Sequence, residues 1–351
     1  MTAEGHKRTR TRTRSRGRMA VLIALGLLLA LAVAAVGGLW FMQNRLDNAI
    51  ERVEDPFAQL TNRPTPSATQ DEDVAEADAP MNILVLGSDS RISAGDPDQW
   101  SYGAQRTDSI MLVHIPGDRS GAFVMSIPRD SWVDVPGYGM AKINAAFSYG
   151  GPSLLIETIE NLTGVYIDHF AVADFESFQE LTDAVGGVEI SVAYDTPNLP
   201  AGEYHMDGEQ ALSYARERYN LPGGDFDRVQ RQQNWIRAIA RQALTRETLT
   251  NPLLLNDFLT TAAGSVAVDE GFTIGEMRSL ALSMTGVRDD DLVFLTVPVA
   301  GTGWSPDGTQ SIVNLAQPAF SEMMAAVAED DLADYLAQHP DEARMLTETV
   351  F

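Results

Sequence analysis

From residue 81 onward, short apolar runs rich in β-branched residues alternate with longer segments in which apolar residues recur at helical spacing. Such runs are typical of strands, and six are present: NILVLG, SIMLVHI, GAFVMSI, HFAVADF, VEISV and LVFLTVPV. Helices are predicted over 153–162, 176–185 and 226–249 and around Leu255, Met277 and Met323. This alternation predicts a single three-layer α-β-α domain with a central mixed sheet over residues 81–340, followed by a tail over 341–351.

The longest apolar run lies near the N-terminus. Residues 19–44 contain no charged side chain, and a helix of that length reaches about 39 Å, more than the ~30 Å hydrocarbon core of a bilayer. The run predicts one transmembrane helix over 19–42. A cleaved signal peptide is the alternative, because Ala-x-Ala patterns occur within the run. The run is longer than a signal core, however, and Trp40 and Phe41 suit a membrane interface.

The formal net charge of −24 is distributed unevenly along the chain. Residues 1–18 carry seven basic side chains and one acidic side chain, and the remaining residues carry 18 basic and 48 acidic side chains. A basic tail beside a membrane span places the N-terminus in the cytoplasm and the rest of the chain outside it, with a single pass through the cell membrane. Residues 43–80 are predicted to form a juxtamembrane segment and an acidic, proline-containing linker.

The same composition excludes several classes of function. The acidic exported part argues against a nucleic-acid partner. The chain contains no cysteine, which excludes thiol catalysis, disulfides and cysteine-based metal sites. The glycine-rich nucleotide fingerprints and the G-x-S-x-G motif are missing from the sequence. The histidines are scattered, and we predict structural or surface roles for His114, His169 and His205.

Cationic side chains are concentrated between residues 216 and 231. Arg216 and Arg218 are two positions apart, so an extended segment would present both on one face. A Pro-Gly-Gly loop follows, and a helix that opens near Asp225 would place Arg228 and Arg231 on one face, together with Gln232. Guanidinium groups beside a helix N-terminus are suited to binding phosphate or pyrophosphate. Surface salt bridges in a very acidic protein are the alternative interpretation.

Two carboxylates stand at the ends of neighbouring predicted strands. Asp89 follows the first strand in the turn GSDSR, and Asp108 begins the next strand in RTDSIMLV. Acidic residues in turns are common caps, so each is weak evidence alone. As a pair beside an arginine cluster, they predict a site for Mg²⁺, or Mn²⁺, bound to a pyrophosphate, because Mg²⁺ is usually held by one or two carboxylates and substrate oxygens.

Six ordered segments resemble the motif blocks of the LytR-CpsA-Psr family. They are GSDSR at 87–91, RTDSIMLVHI at 106–115, SIPRDSWVDVPGYGMAKINAAFSYGG at 126–151, the GGVEI block, DGEQALSYARER at 207–218 and DFDRVQRQQ at 225–233. The resemblance implies a membrane-anchored phosphotransferase of an actinobacterial cell envelope that moves a glycopolymer from a polyprenyl-pyrophosphate carrier to peptidoglycan.

The resemblance also implies roles for individual residues. Asp89 and Asp108 would hold the metal. The other implied site residues are the catalytic phosphate ligands Arg106, Arg129, Arg216, Arg218 and Arg228 with Asp225, and the substrate-binding residues Lys142, Asn144, Arg231 and Gln232. Asp108 or Asp225 is a candidate base for the acceptor hydroxyl. Asp227 departs from the pattern, because related sequences often carry glycine at this position.

Two other functions stay open at this point. The same cradle could deliver the pyrophosphate to water, which would make the protein a polyprenyl-pyrophosphate hydrolase. The protein could instead be a non-catalytic membrane-anchored lipid-glycan binder or a regulator of the cell envelope. The apolar faces of 147–159 and 235–244 are either part of a slot for the polyprenyl tail or ordinary core.

Overall fold

The computed structural model describes residues 51–66, 79–88, 107–196, 199–217, 223–243 and 266–347, together with the isolated positions 221, 245, 251, 258, 260, 261 and 350. These residues belong to one compact unit that spans 49–351. The basic tail, the predicted membrane helix and the helix predicted around Leu255 lie outside the described residues. Among the helices of the described part, none is long and apolar enough to cross a membrane.

The described part of the chain contains fourteen strands. They are β1 (Glu51–Val53), β2 (Met81–Ser88), β3 (Thr107–Ile115), β4 (Ala122–Ile127), β5 (Trp132–Val135), β6 (Gly139–Lys142), β7 (His169–Asp174), β8 (Val188–Val192), β9 (Gly202–Met206), β10 (Val266–Asp269), β11 (Leu292–Thr296), β12 (Val299–Trp304), β13 (Ser311–Leu315) and β14 (Arg344–Met345). All six predicted runs form strands, although LVFLTVPV is divided between β11 and the start of β12.

The same part of the chain contains seven α-helices. They are α1 (Ile143–Thr163), α2 (Phe175–Ala184), α3 (Gly208–Arg216), α4 (Asp225–Ala243), α5 (Ile274–Ser283), α6 (Ala319–Ala328) and α7 (Leu332–Gln338). Helix α1 begins ten residues before the predicted start, and its first part buries Ile143, Ala146 and Phe147 at i, i+3 and i+4. Gly150 and Gly151 have non-helical backbone angles, so the helix is kinked just before Pro152.

Eight strands form one mixed sheet in the order β1-β10-β7-β2-β3-β4-β11-β14. Strand β3 is antiparallel to both β2 and β4, whereas β2 is parallel to β7 and β4 is parallel to β11. Three further pairs form hairpins outside this sheet: β5 with β6, β8 with β9, and β12 with β13. The single α/β domain with a central mixed sheet is confirmed.

The two faces of the sheet bury different helices because side chains alternate along each strand. Ile110 and Leu112 of β3 face the larger core, which also contains Ile156 of α1 and Met323 of α6. Met111, between them, belongs to a small cluster on the opposite face, against which Ile236 of α4 packs. The domain therefore has three layers, and α4 covers the face opposite α1.

A third apolar cluster joins α4 to the β8–β9 hairpin and α3. It contains Ile190, Met206, Ala215 and Trp235, all nearly inaccessible to solvent. Phe147 and Ile159 are equally buried in the larger core. Segments 147–159 and 235–244, for which the sequence allows either a polyprenyl slot or ordinary core, thus contribute buried side chains to the apolar core.

The chain before residue 81 also contributes to the folded unit. Strand β1 pairs in parallel with β10 at one edge of the sheet, and Phe57 and Leu60 pack against the larger core. Residues 51–66, which the sequence assigns to the juxtamembrane segment and linker, are therefore tied to the domain by backbone pairing and apolar contact.

Candidate functional site

The candidate site lies at one edge of the central sheet, where four strands end. The pairing directions place the carboxyl ends of β2, β4, β7 and β11 at the same edge, next to the start of β3. In the register, Ser88 at the end of β2 is opposite both Thr107 and Asp174. Ligands of open α/β sheets bind at the carboxyl ends of the strands, so this edge is the expected position of a binding site.

Asp108 occupies an irregular position at this edge. Gly87 pairs with Ser109 and Ser88 pairs with Thr107, so Asp108 is the extra residue of a β-bulge opposite the end of β2. A bulge redirects a side chain and is common beside functional sites. The backbone of Asp108, one predicted metal ligand, therefore lies beside the end of β2. Asp89, the other predicted ligand, follows β2 in the sequence and lies outside the described residues.

Arg129, Lys142 and Asn144 are brought together by the loop that follows β4. The backbone NH of Asn144 donates to the carbonyl oxygen of Arg129 at 3.2 Å, and the backbone NH of Ile143 donates to the carbonyl oxygen of Ser131 at 2.8 Å. These bonds fix the start of α1 against the loop. Lys142 Nζ lies 3.0 Å from Asp130 Oδ1. Three of the predicted phosphate-binding residues thus share one rigid loop-and-helix junction.

Helix α4 is bound to the same edge through Gln233. The Gln233 side-chain amide donates to Ser126 Oγ of β4 at 2.7 Å and to the carbonyl oxygen of Leu295 of β11 at 2.8 Å. Both acceptors lie within one or two residues of their strand ends. Gln233 therefore holds the N-terminal half of α4 close to the point where the chain leaves β4 toward Arg129.

The N-terminal half of α4 carries the predicted anion-binding face. Arg228, Arg231 and Gln232 lie at i, i+3 and i+4 of the helix, as predicted, and the exposed fractions are 2%, 1% and 4%. Arginine is almost never fully buried in proteins unless its charge is compensated. In the described part of the chain, Gln232 Oε1 is buried and accepts no hydrogen bond. The face is therefore polar, cationic and enclosed.

Other buried polar residues of α4 have structural partners. Asn234 Nδ2 donates to the Tyr214 hydroxyl at 3.2 Å, and Arg237 donates to Asn234 Oδ1 at 2.6 Å and to the Thr347 carbonyl oxygen at 2.9 Å. Trp235 Nε1 donates to Thr182 Oγ1 at 2.8 Å. These bonds fix the rotation of α4 and thereby the direction of its cationic face.

Arg231 is supported by Tyr214, a residue that the sequence pattern does not single out. The guanidinium carbon lies 4.6 Å from the centre of the Tyr214 ring, and one guanidinium nitrogen donates to the Tyr214 carbonyl oxygen at 3.3 Å. Burial lowers the pKa of Arg231, an effect opposed by Tyr214, Glu217 and Asp227. The signal for Tyr214 in the sequence is its position in the block SYARER, two residues before Arg216.

The prediction that Arg216 lies on an extended strand is wrong. Residues 208–216 form helix α3, because Asp207 and Gln210 make a reciprocal capping box at its N-terminus. Arg216 is the last residue of this helix and is exposed. Arg216 is therefore helical rather than extended, and Arg218 lies outside the described residues.

Asp227 anchors the loop before α4. Its Oδ2 accepts a hydrogen bond from the backbone NH of Gly223 at 2.5 Å, and its side chain is buried. A Cβ at position 223 would lie 2.3 Å from Asp227 Oδ1, so only glycine permits this approach. The Asp227 carboxylate therefore holds the loop before α4 through its hydrogen bond with Gly223. It is also a negative charge that interacts with Arg231.

The remaining predicted site residues are not located by the structure. Arg106 and Arg218 lie outside the described residues, as does Asp89, and the side chains of Asp108 and Asp225 are not described, although Asp225 does begin α4. Among the residues that are described, no three histidine, aspartate or glutamate side chains converge as metal ligands.

The three histidines have the structural and surface roles predicted for them. His114 is buried between Asn82 and Asp330, and His169 is hydrogen-bonded to Asp269. His205 is largely exposed and pairs with Glu189.

The comparison with known proteins identifies the class of protein that has this fold and this site. The LytR_cpsA_psr family matches residues 49–329, and the chain belongs to this family. The crystal structure of Bacillus subtilis TagV has the same fold, with a TM-score of 0.59 at 24% identity over 72% of this chain and 97% of that one.

Two curated relatives are similar in sequence. The cell wall biosynthesis protein LcpA of Corynebacterium glutamicum is 33% identical over 79% of this chain and 62% of its own length. The polyisoprenyl-teichoic acid–peptidoglycan teichoic acid transferase TagU of Enterococcus faecalis is 33% identical over 65% of this chain and 73% of its own length. This chain thus spans about three-fifths of the length of LcpA.

Proposed function

We propose that this protein is a phosphotransferase that moves a glycopolymer from a polyprenyl-pyrophosphate carrier onto peptidoglycan. The observation that carries the proposal is the enclosed cationic face of α4, where Arg228, Arg231 and Gln232 are buried in the half of the helix that Gln233 ties to β4 and β11. The names of LcpA and TagU, a cell wall biosynthesis protein and a teichoic acid transferase, support the same reaction class.

The geometry suits phosphoryl transfer because this reaction asks the protein mainly for positioning and charge neutralisation. Arg129 lies in the loop after β4 and Lys142 ends β6 at the start of α1, whereas Arg228 and Arg231 lie on α4. Guanidinium groups bind phosphate oxygens in fixed, bidentate geometry. Two separate elements would therefore hold the pyrophosphate from two directions.

The proposed step exchanges one P–O bond for another. The oxygen of the acceptor hydroxyl attacks the phosphorus that carries the glycan, and a phosphodiester bond forms. The bond from this phosphorus to the bridging oxygen breaks, and polyprenyl phosphate leaves. The hydroxyl proton passes to a carboxylate, for which Asp108 and Asp225 are the candidates.

A divalent cation, Mg²⁺ or Mn²⁺, belongs to the same proposal. Asp89 and Asp108 would hold it, and the bulge that places the Asp108 backbone beside the end of β2 is compatible with a pair of ligands there. When bound, the cation would neutralise negative charge on the pyrophosphate oxygens.

The location follows from the proposed substrate. A polyprenyl carrier resides in the membrane, so a helix over 19–42 would hold the domain beside its donor, on the extracytoplasmic side. Strand β1, at residues 51–53, would leave a short connection between the membrane and the sheet. The partners expected in this setting are the lipid-linked donor, the peptidoglycan acceptor and the cytoplasmic membrane.

The test is product analysis with the full-length chain in liposomes that contain a polyprenyl-pyrophosphate-linked glycan, with and without peptidoglycan. Transfer predicts glycan bound to peptidoglycan through a phosphodiester and equal release of polyprenyl phosphate. Release of glycan phosphate at the same rate without acceptor would instead identify a hydrolase. Binding of the donor without any turnover would identify a lipid-glycan binder.

A further inference from the structure

A polar cavity opens beside the cationic face. It has a volume of about 300 Å³ and lies between α3 and β9. We call it the α3–β9 groove, and its lining includes Tyr204, His205, Gln210, Ser213, Glu217 and Arg231. A volume of this size is at the lower end of the range for small-molecule sites.

One wall of the groove is a single polar face of helix α3. Gln210, Ser213, Tyr214 and Glu217 follow one another at i, i+3, i+4 and i+7, which is the spacing of neighbours along one side of a helix. The opposite face of the same helix is apolar, and Ala211, Leu212 and Ala215 are buried in the cluster with Trp235. Because α3 packs with its apolar side, its hydrogen-bonding side is left facing the groove.

The other wall is formed by β9. Tyr204 presents a half-buried aromatic ring there, and its hydroxyl donates to the carbonyl oxygen of Pro200 at 2.8 Å. Met206 adds apolar surface deeper in the groove. An aromatic ring that faces amide, hydroxyl and carboxylate groups matches a sugar ring, which has apolar faces and a rim of hydroxyl donors and acceptors.

The inner end of the groove meets the candidate phosphate site at Arg231. The guanidinium stacks on Tyr214, at 4.6 Å from the ring centre, and lines the groove. The carboxylate of Glu217 interacts electrostatically with the same guanidinium. A sugar in the groove would therefore lie next to any phosphate held by Arg231.

The charges of the groove discriminate among possible occupants. Glu217 disfavours a second anionic group beside the phosphate, because like charges repel in a partly enclosed site. Gln210, Ser213 and Glu217 disfavour a polyprenyl tail, because polar groups buried against hydrocarbon lose their hydrogen bonds to water. An uncharged, hydroxyl-rich ring satisfies both conditions.

We propose that the α3–β9 groove binds a sugar ring next to the reacting phosphate and that Glu217 accepts hydrogen bonds from its hydroxyl groups. This inference rests on the proposed function for the identity of the neighbouring phosphate. The sugar belongs either to the lipid-linked donor or to the peptidoglycan acceptor, and the two sources share the chemistry that the groove recognises.

The test uses the full-length chain in detergent and three probes: polyprenyl pyrophosphate carrying N-acetylglucosamine, polyprenyl pyrophosphate without a sugar, and the soluble disaccharide unit of peptidoglycan. Glu217→Gln is compared by calorimetry with Glu209→Gln, which removes the same charge from an exposed position on the same helix. The Glu217 variant should bind one of the two sugar-bearing probes about tenfold more weakly, whereas binding of the sugar-free lipid should not be weakened.

The probe that is weakened identifies the source of the sugar. Loss confined to the lipid-linked sugar assigns the groove to the donor, and loss confined to the disaccharide assigns it to the acceptor. The proposal is overturned if neither sugar-bearing probe is weakened, or if the sugar-free lipid is weakened equally. The wild-type protein could bind a sugar probe at the groove and fail to bind the sugar-free lipid. This result would contradict the proposed phosphate site but would still support the sugar-binding groove.

Discussion

Arg63 forms an enclosed ion pair with Glu160 of helix α1. The guanidinium of Arg63 lies 2.7 Å from Glu160 Oε1, and the side chains are 17% and 2% exposed. The same guanidinium lies over the ring of Tyr166, at 3.8 Å from its centre, and donates to the Ile167 carbonyl oxygen. Glu160 also accepts a hydrogen bond from the backbone NH of Ile167 at 3.0 Å. This pair holds the segment before β2 against the C-terminal end of helix α1 and the loop that follows it.

Arg63→Ala should destabilise the domain by about 3–5 kcal/mol, because it leaves the buried carboxylate of Glu160 without its counter-charge. Urea unfolding of the full-length chain measures the change. Arg278→Ala, which removes an exposed arginine of α5, is the control and should change the free energy of unfolding by less than about 0.5 kcal/mol. Equal effects of the two substitutions would show that the pair adds nothing specific.

Arg228→Ala should reduce transfer from the polyprenyl-pyrophosphate donor by about 100-fold or more, because it removes a preorganised charge from the enclosed face. The initial rate of peptidoglycan labelling measures the loss, and circular dichroism of the same sample checks the fold. Arg228→Lys keeps the charge but not the bidentate geometry and should recover part of the activity. Turnover close to that of the wild type in Arg228→Ala would remove this residue from the site.

Asp108→Asn should abolish the stimulation of transfer by Mg²⁺, because a neutral amide is a poorer ligand for a hard cation than a carboxylate. The measurement is the initial rate over a range of Mg²⁺ concentrations. Asp118→Asn is the matched control, since Asp118 is exposed in the turn at the other end of β3. An unchanged Mg²⁺ dependence in Asp108→Asn would assign the metal to other ligands.

We predict that the stability of the folded domain depends on pH through His169. Burial opposes its charged form, but the hydrogen bond with Asp269 and the charges of Asp269, Glu276 and Asp168 outweigh burial and raise the pKa of His169 above 6.5. Its stabilising contribution is therefore complete below about pH 6.5 and is lost as the pH rises through the higher folded-state pKa. Unfolding free energies measured between pH 5 and 9 should therefore fall as the pH rises above about 6.5.

His169→Gln should flatten this decline, because glutamine does not titrate. His205→Gln is the control, since His205 is exposed and paired with Glu189 at the surface. The decline should persist in the control. A profile of His169→Gln that parallels the wild type above pH 6.5 would show that other groups cause the decline.

The main features of the fold could be predicted from the sequence because they depend on local periodicity. The β-branched runs form strands, including most of β2 and all of β4, and the helix predicted over 226–249 is present as α4, Asp225–Ala243, with Arg228, Arg231 and Gln232 on one face. The sequence does not predict strands β1, β5, β6, β9, β10, β13 and β14. They have two to five residues, and runs this short carry too little periodicity to separate strand from loop.

Helix α3 was misread for a different reason. The spacing of Arg216 and Arg218 suggests an extended segment, whereas the capping box of Asp207 and Gln210 and the buried apolar side of α3 impose a helix. The local signal for the helix is Asp207 three residues before Gln210, and this capping box outweighs the spacing of the two arginines. Charged residues report on periodicity less reliably than buried apolar residues, because their side chains are not fixed by packing.

The sequence by itself determined the family, the class of fold and which side chains carry positive charge, because ordered motifs and periodic patterns are local properties. The tertiary structure decided that Gln233 ties α4 to β4 and β11, that Arg231 stacks on Tyr214, and that α3 and β9 enclose a polar groove. These relationships join residues that are distant in sequence. They depend on strand order and on which helix face is buried, and both are set by packing of the whole domain rather than by any single segment.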